Sequence, residues 1–129
     1  MGLENQIGYW LEGSAYDLET AEAILESKRF LYVGFCCHLG VKKNLKGFLV
    51  KKLSDTAPFT HHLLVLANKC DLTSTLSEDD LNFLNLFTTL NIEDGYSGYK
   101  SNLARSLNQV LCTQLLTKTK LLCKKISPL

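Results

Sequence analysis

The sequence predicts an all-α fold, an antiparallel up-and-down bundle of four main helices plus a short one, four to five in all, in a single domain over residues 1–129. Apolar side chains recur at spacings of three and four along most of the chain, which is the period of one helix face. No segment alternates apolar and polar residues in the manner of a half-buried strand. A chain of 129 residues with 46% hydrophobic composition can bury a core without staples or metals.

The first helix is read from Ile7 to Leu25. Ile7, Trp10, Leu11, Ala15, Leu18, Ala21, Ile24 and Leu25 form its apolar stripe, and Glu12, Asp17, Glu19, Glu22 and Glu26 fill the other face. The second runs from Leu31 to Leu53. Its first half is apolar almost all round, through Val33, Phe35, Cys36, Cys37, Leu39 and Val41, and so belongs at the centre of the bundle. Its second half keeps a stripe of Leu45, Phe48, Leu49 and Leu53, with Lys42, Lys43, Lys46, Lys51 and Lys52 on the remaining surface. Ser54-Asp55-Thr56-Ala57-Pro58 ends it, because proline lacks a backbone donor and pushes the preceding residue out of the α region.

A short third helix is expected from about Thr60 to Cys70. Ser77 reads as the N-cap of a fourth, its hydroxyl able to accept a free backbone amide while Glu78, Asp79 and Asp80 complement the positive helix end; this helix is expected to reach about Leu90. The segment from Asn91 to Tyr99 has glycines and polar residues but no stripe, and reads as a loop packed by Tyr96 and Tyr99. The last helix, from Leu103 to Ile126, is expected to be the longest, about 40 Å at ~1.5 Å per residue, with its Lys118, Lys120, Lys124 and Lys125 end exposed.

Fourteen basic against thirteen acidic residues give no overall field drawing the chain to nucleic acid, so any such binding needs a local patch. Cys36, Cys37, Cys70, Cys112 and Cys123 show no metal-ligand spacing and are expected to be reduced, buried thiols. The N-terminus has no basic and apolar signal regions, and no apolar stretch approaches the ~20 residues of a membrane span. A soluble, cytoplasmic protein without membrane association is expected.

Gly40-Val41-Lys42-Lys43-Asn44-Leu45-Lys46-Gly47 superficially suggests a phosphate loop, but the spacing is wrong and the stretch falls inside a helix. His38 and His61 are the candidates for acid–base chemistry, since imidazole titrates near neutrality. Against that, His38 sits in the central apolar stretch, where a hydrogen-bonded core histidine is the commoner case, and His61 and His62 open the third helix beside a loop. Lys42, Lys43 and Lys46 offer a cationic stripe to phosphate or to an acidic partner, with a solvated helix face as the bland alternative. Tyr96 and Tyr99 suit either base stacking or clamping a loop. No cofactor or metal site is expected.

Tyr9-Trp10-Leu11-Glu12, Ala15, Asp17-Leu18 and Ala21, followed by Arg29-Phe30-Leu31-Tyr32-Val33-Gly34-Phe35-Cys36-Cys37-His38, resemble the first two helices of bacterial and archaeal HEPN-domain proteins. The resemblance continues through Lys43, Leu45-Lys46, His61-His62-Leu63-Leu64, Ile92-Glu93, Tyr96 and Tyr99-Lys100, and so covers nearly the whole chain. It implies a helical bundle that commonly dimerises, often partners a minimal nucleotidyltransferase, and in several branches, toxin-like ones included, acts as a metal-independent ribonuclease through an arginine and a histidine. This chain departs from that pattern. Gly95-Tyr96-Ser97 stands where small relatives usually read Arg-Tyr-Pro, Lys42 stands where glutamate is usual, and Leu39 where glutamine is frequent. Neither Arg29 nor Arg105 is followed by a histidine at the ribonuclease spacing. A glycine offers none of the bidentate donors of a guanidinium.

The sequence therefore points to a non-catalytic HEPN-like binding and assembly module. The expected ligand residues are Lys43, Lys46, His61 and Tyr96, the ligand a nucleotide, RNA or other anion, and the partners a second copy and a nucleotidyltransferase. The alternative is a metal-independent ribonuclease or nucleotide-processing enzyme, with His38 or His61 as the base and a lysine in place of the missing arginine.

Overall fold

The computed structural model describes residues 2–60, 62–87 and 107–127. Five α-helices are present among them: α1 (Leu3–Glu26), α2 (Phe30–Leu53), α3 (Leu63–Lys69), α4 (Glu78–Leu86) and α5 (Gln109–Ile126), with a 3-10 turn at Leu72–Ser74 between α3 and α4. The described chain holds no strand, and the fold is an all-α helical bundle as expected.

The helices alternate in direction. α1 lies antiparallel on α2: Leu18 and Ser14 meet Gly40, while Leu11 and Trp10 meet Gly47. α5 runs parallel to α2, since the Cys112 thiol donates to the Phe30 carbonyl at 3.6 Å and Cys37 lies beside Thr119. α4 is antiparallel to α5, with Asp80 at Lys125 and Phe83 at Lys118. α3 and α4 together make the third leg, and Cys70 is tied back to α2 through its thiol to the Leu45 carbonyl and through Lys52 to its own carbonyl.

Glycines set the α1–α2 distance. A methyl group on Gly40 would stand 2.8 Å from Leu18 Cδ2, and one on Gly47 2.8 Å from Leu11 Cδ2. Any side chain there would hold the helices apart. Ser14 uses the close approach, donating to the Gly40 carbonyl at 2.6 Å. One hydrophobic cluster joins all five helices, through Ala21, Val33, Val41, Leu45, Leu66, Leu84, Leu116 and Leu122 among others.

Several expectations need correction. The first helix begins at Leu3, and Ala15 is exposed while Ser14 is buried, because the Ser14 hydroxyl is satisfied by Gly40. α3 begins at Leu63: His62 is extended, and its amide takes a hydrogen bond to the Thr60 hydroxyl at 3.3 Å in place of a helical bond. The last helix is neither the longest nor continuous from Leu103. Asn108 is extended and caps Gln109–Ile126 by accepting the Leu111 amide at 2.9 Å, which leaves 18 residues against 24 in each of α1 and α2. Its basic end is also partly tied down, with Lys125 on Asp80 at 2.9 Å and Lys120 paired with Glu22. The expected end of α4 near Leu90 and the loop around Tyr96 and Tyr99 lie outside the described residues.

Candidate functional site

The central helix carries the polar residues of interest because four-residue spacing stacks them on one face. His38, Lys42 and Lys46 occupy successive turns of α2. All three are buried, at 2%, 7% and 6% exposure. This corrects the solvated-face reading of the lysines: the cationic stripe is withdrawn from solvent. At one end the His38 ring packs on Phe87, centroids 5.9 Å apart, and Phe87 in turn meets Phe83 edge-on at 5.0 Å. At the other end Lys46 Nζ lies 5.1 Å from the centroid of the Trp10 ring, within cation–π range, and Tyr9 meets Trp10 edge-on.

Lys43 points elsewhere. Its side chain crosses Gly13, where a Cβ would lie 3.1 Å from Lys43 Cδ, and reaches Asp17 at 2.8 Å. The pair is partly buried and ties α1 to α2, so Lys43 belongs to the packing of those two helices. Asp17 is the partner the sequence reading did not assign. The readable signal was a lysine and an aspartate on facing amphipathic helices, with a glycine where the long side chain must cross. His61 and Tyr96 lie outside the described residues.

The thiols are poor nucleophile candidates. All five cysteines are buried and unpaired. Burial pushes Cys37 and Cys123 up to about 12 and Cys70 up to about 11, and it also raises Cys36 and Cys112. A thiolate is scarce at neutral pH under those conditions. Among the described residues no group of three or more His, Cys, Asp or Glu side chains is placed to hold a metal ion, and no helix is long and apolar enough to cross a membrane.

A buried histidine and two buried lysines in line, closed by aromatics from two other helices, can stabilise an anion and can stack a planar group. The HEPN domain family model matches residues 7–126, a span that contains every helix interface just described. The chain belongs to the HEPN domain family. Among solved structures, the crystal structure of TT1696 from Thermus thermophilus is similar to this HEPN chain, with a TM-score of 0.79 at 17% identity, covering 96% of this chain and 98% of that one. At that identity the likeness speaks to the fold alone. Comparison with curated proteins gives no match. Within the HEPN bundle, the residues brought together are thus His38, Lys42, Lys46, Trp10 and Phe87, and Lys43 stands apart from them with Asp17.

Proposed function

We propose that this HEPN bundle is a non-catalytic binding and assembly module whose ligand is a phosphate-bearing anion of the nucleotide class, received along the His38–Lys42–Lys46 face. The observation that carries this reading is the burial of two lysines one helical turn apart beside a histidine. Charges withdrawn from water act through a lower effective dielectric than surface charges, so an anion seated there interacts with them several-fold more strongly than with a solvated stripe. Trp10 supplies an aromatic face at the same end, as a base would use. His61 and Tyr96 are assigned to the same site on the sequence resemblance. The assembly half of the proposal is a homodimer, with a nucleotidyltransferase as a second partner of the kind the family resemblance implies.

The test is thermal unfolding of the intact chain with ATP, inorganic phosphate or a short RNA. A ligand that binds only the folded state at ~100 times its dissociation constant adds about 2.7 kcal/mol of stability. The midpoint is expected to rise with the nucleotide, and the rise is expected to disappear in Lys42→Gln and Lys46→Gln. A flat response to all three ligands would remove the anion site. Cleavage of the RNA that is lost in His38→Ala or His61→Ala, with the fold intact, would replace this reading with the ribonuclease one.

A further inference from the structure

The helix α5 carries two side-chain stripes, and among the described residues one of them is built into the core. Cys112, Leu115, Leu116, Thr119, Leu122, Cys123 and Ile126 are buried. On the adjoining face Leu111, Gln114, Lys118 and Leu121 follow one another at spacings of three, four and three, the alternation of a coiled-coil seam. Leu111 is 40% and Leu121 56% exposed. Alongside, α4 contributes Phe83 and an exposed Leu86 to the open cleft between the two helices, and Val110 flanks the seam at its start.

We infer that this face is where a second copy of the chain docks, laying its own α5 antiparallel along the first in the register that sets Leu111 against Leu121 of the second copy. The inference rests on the assembly reading above and deepens it by naming the surface and the register. The polar positions select the occupant. In the antiparallel register each Gln114 faces Lys118 of the second copy, so a side-chain carbonyl accepts from an ammonium group. In a parallel register Lys118 would face Lys118. The flanking positions agree: Val110 falls beside the aliphatic stem of Lys124 of the second copy, and Thr117 beside Thr117, so no like charges meet. The antiparallel arrangement also sets the two helix dipoles side by side in opposite directions, each positive end beside the other's negative end. The seam thus complements itself under a two-fold axis, as an isologous interface requires.

The experiment is sedimentation equilibrium of the intact chain across the micromolar range, with circular dichroism as the control for folding. The wild type is expected to approach twice the 14.5 kDa of the single chain. Leu111→Glu and Leu121→Lys, each at an exposed position outside the core, are expected to raise the dimer dissociation constant about tenfold or more while leaving helicity and the melting midpoint of the single chain in place. The double variant carrying both is expected to recover the dimer, because the antiparallel register puts each glutamate opposite a lysine. A wild type that stays a single chain throughout would overturn the inference and the homodimer half of the proposed function together. A wild-type dimer indifferent to both single variants would overturn this surface and leave the assembly reading standing. Single variants that dissociate the dimer and a double variant that fails to restore it would overturn the antiparallel register.

Discussion

Glycine changes meaning with its neighbours, and two positions in this chain separate the cases. Gly8 lies within α1 with nothing inside 4 Å of a methyl group placed on it, so Gly8→Ala meets open space and reduces only the backbone entropy lost on folding. It is expected to stabilise the protein by about 0.5–1 kcal/mol. Gly40→Ala gains the same helical preference but drives its methyl to 2.8 Å from Leu18 Cδ2, at the point where Ser14 donates to the Gly40 carbonyl. Overpacking of this kind costs about 1–3 kcal/mol, which exceeds the propensity gain. Urea unfolding of the two variants beside the wild type should give midpoints that move in opposite directions; a stabilised Gly40→Ala would mean that α1 and α2 are not held at the spacing described. The sequence presented Gly40, together with Gly47 and the lysines between them, as a false phosphate loop. It does not show which glycine another helix covers, because that depends on how α1 and α2 cross.

The signals that the chain reads locally were the legible ones at the scale of the element. The α4 start is such a signal: Ser77 accepts the Asp80 amide at 3.0 Å, and Asp80 accepts the Ser77 amide at 3.2 Å. Ser77→Ala is expected to cost about 1 kcal/mol on that account, read as a lowered urea midpoint. The Asp80 carboxyl sits below its ordinary value of 3.8; burial works against this, but the hydrogen bonds from Lys125 and Ser77 outweigh it. The unfolded chain therefore binds that proton more readily than the folded one. The stabilisation is complete above the ordinary carboxylate value and drains away as pH falls through the lower folded value. Comparing wild type with Asp80→Asn, the stability gap should be present at neutral pH and close in acid; a gap that widened in acid would contradict the Lys125 and Ser77 contacts. The α5 start was misread for a related reason. Apolar spacing carried the expected helix back to Leu103, whereas Asn108 is extended and takes the Leu111 amide on its side chain, so a cap inside an apolar pattern outranked the pattern. The buried lysines were misread because periodicity counts every lysine as surface, whereas their face is turned into the bundle, with Trp10 packed at the Lys46 end and Phe87 at the His38 end.

Across the whole molecule, the five thiols report on whether the bundle opens as one unit. Cys36 and Cys37 lie about two turns into α2, Cys70 caps α3 and bonds back to the Leu45 carbonyl, and Cys112 and Cys123 sit near opposite ends of α5, so the set samples three of the helices. None reaches one-tenth exposure, and burial raises every one above its ordinary value, which removes both access and thiolate. An aromatic disulfide reagent is then limited by opening of the structure, and for a domain with ordinary stability of about 5–15 kcal/mol the native rate should fall at least a thousandfold below that in denaturant. The order of labelling, read by mass spectrometry of the peptides, carries the finer information. Cys112 is buried but lies in the first turn of α5, next to the helix end that the Asn108 cap closes, so end fraying should expose it before the others. Cys37 is fully buried beside Thr119 of α5, and Cys123 lies beside Ser14 of α1, so both should react last and together, because exposing either requires α5 to leave the bundle. Early and independent labelling of Cys37 would mean that α5 leaves α2 on its own, and the single hydrophobic cluster would then not behave as one cooperative core.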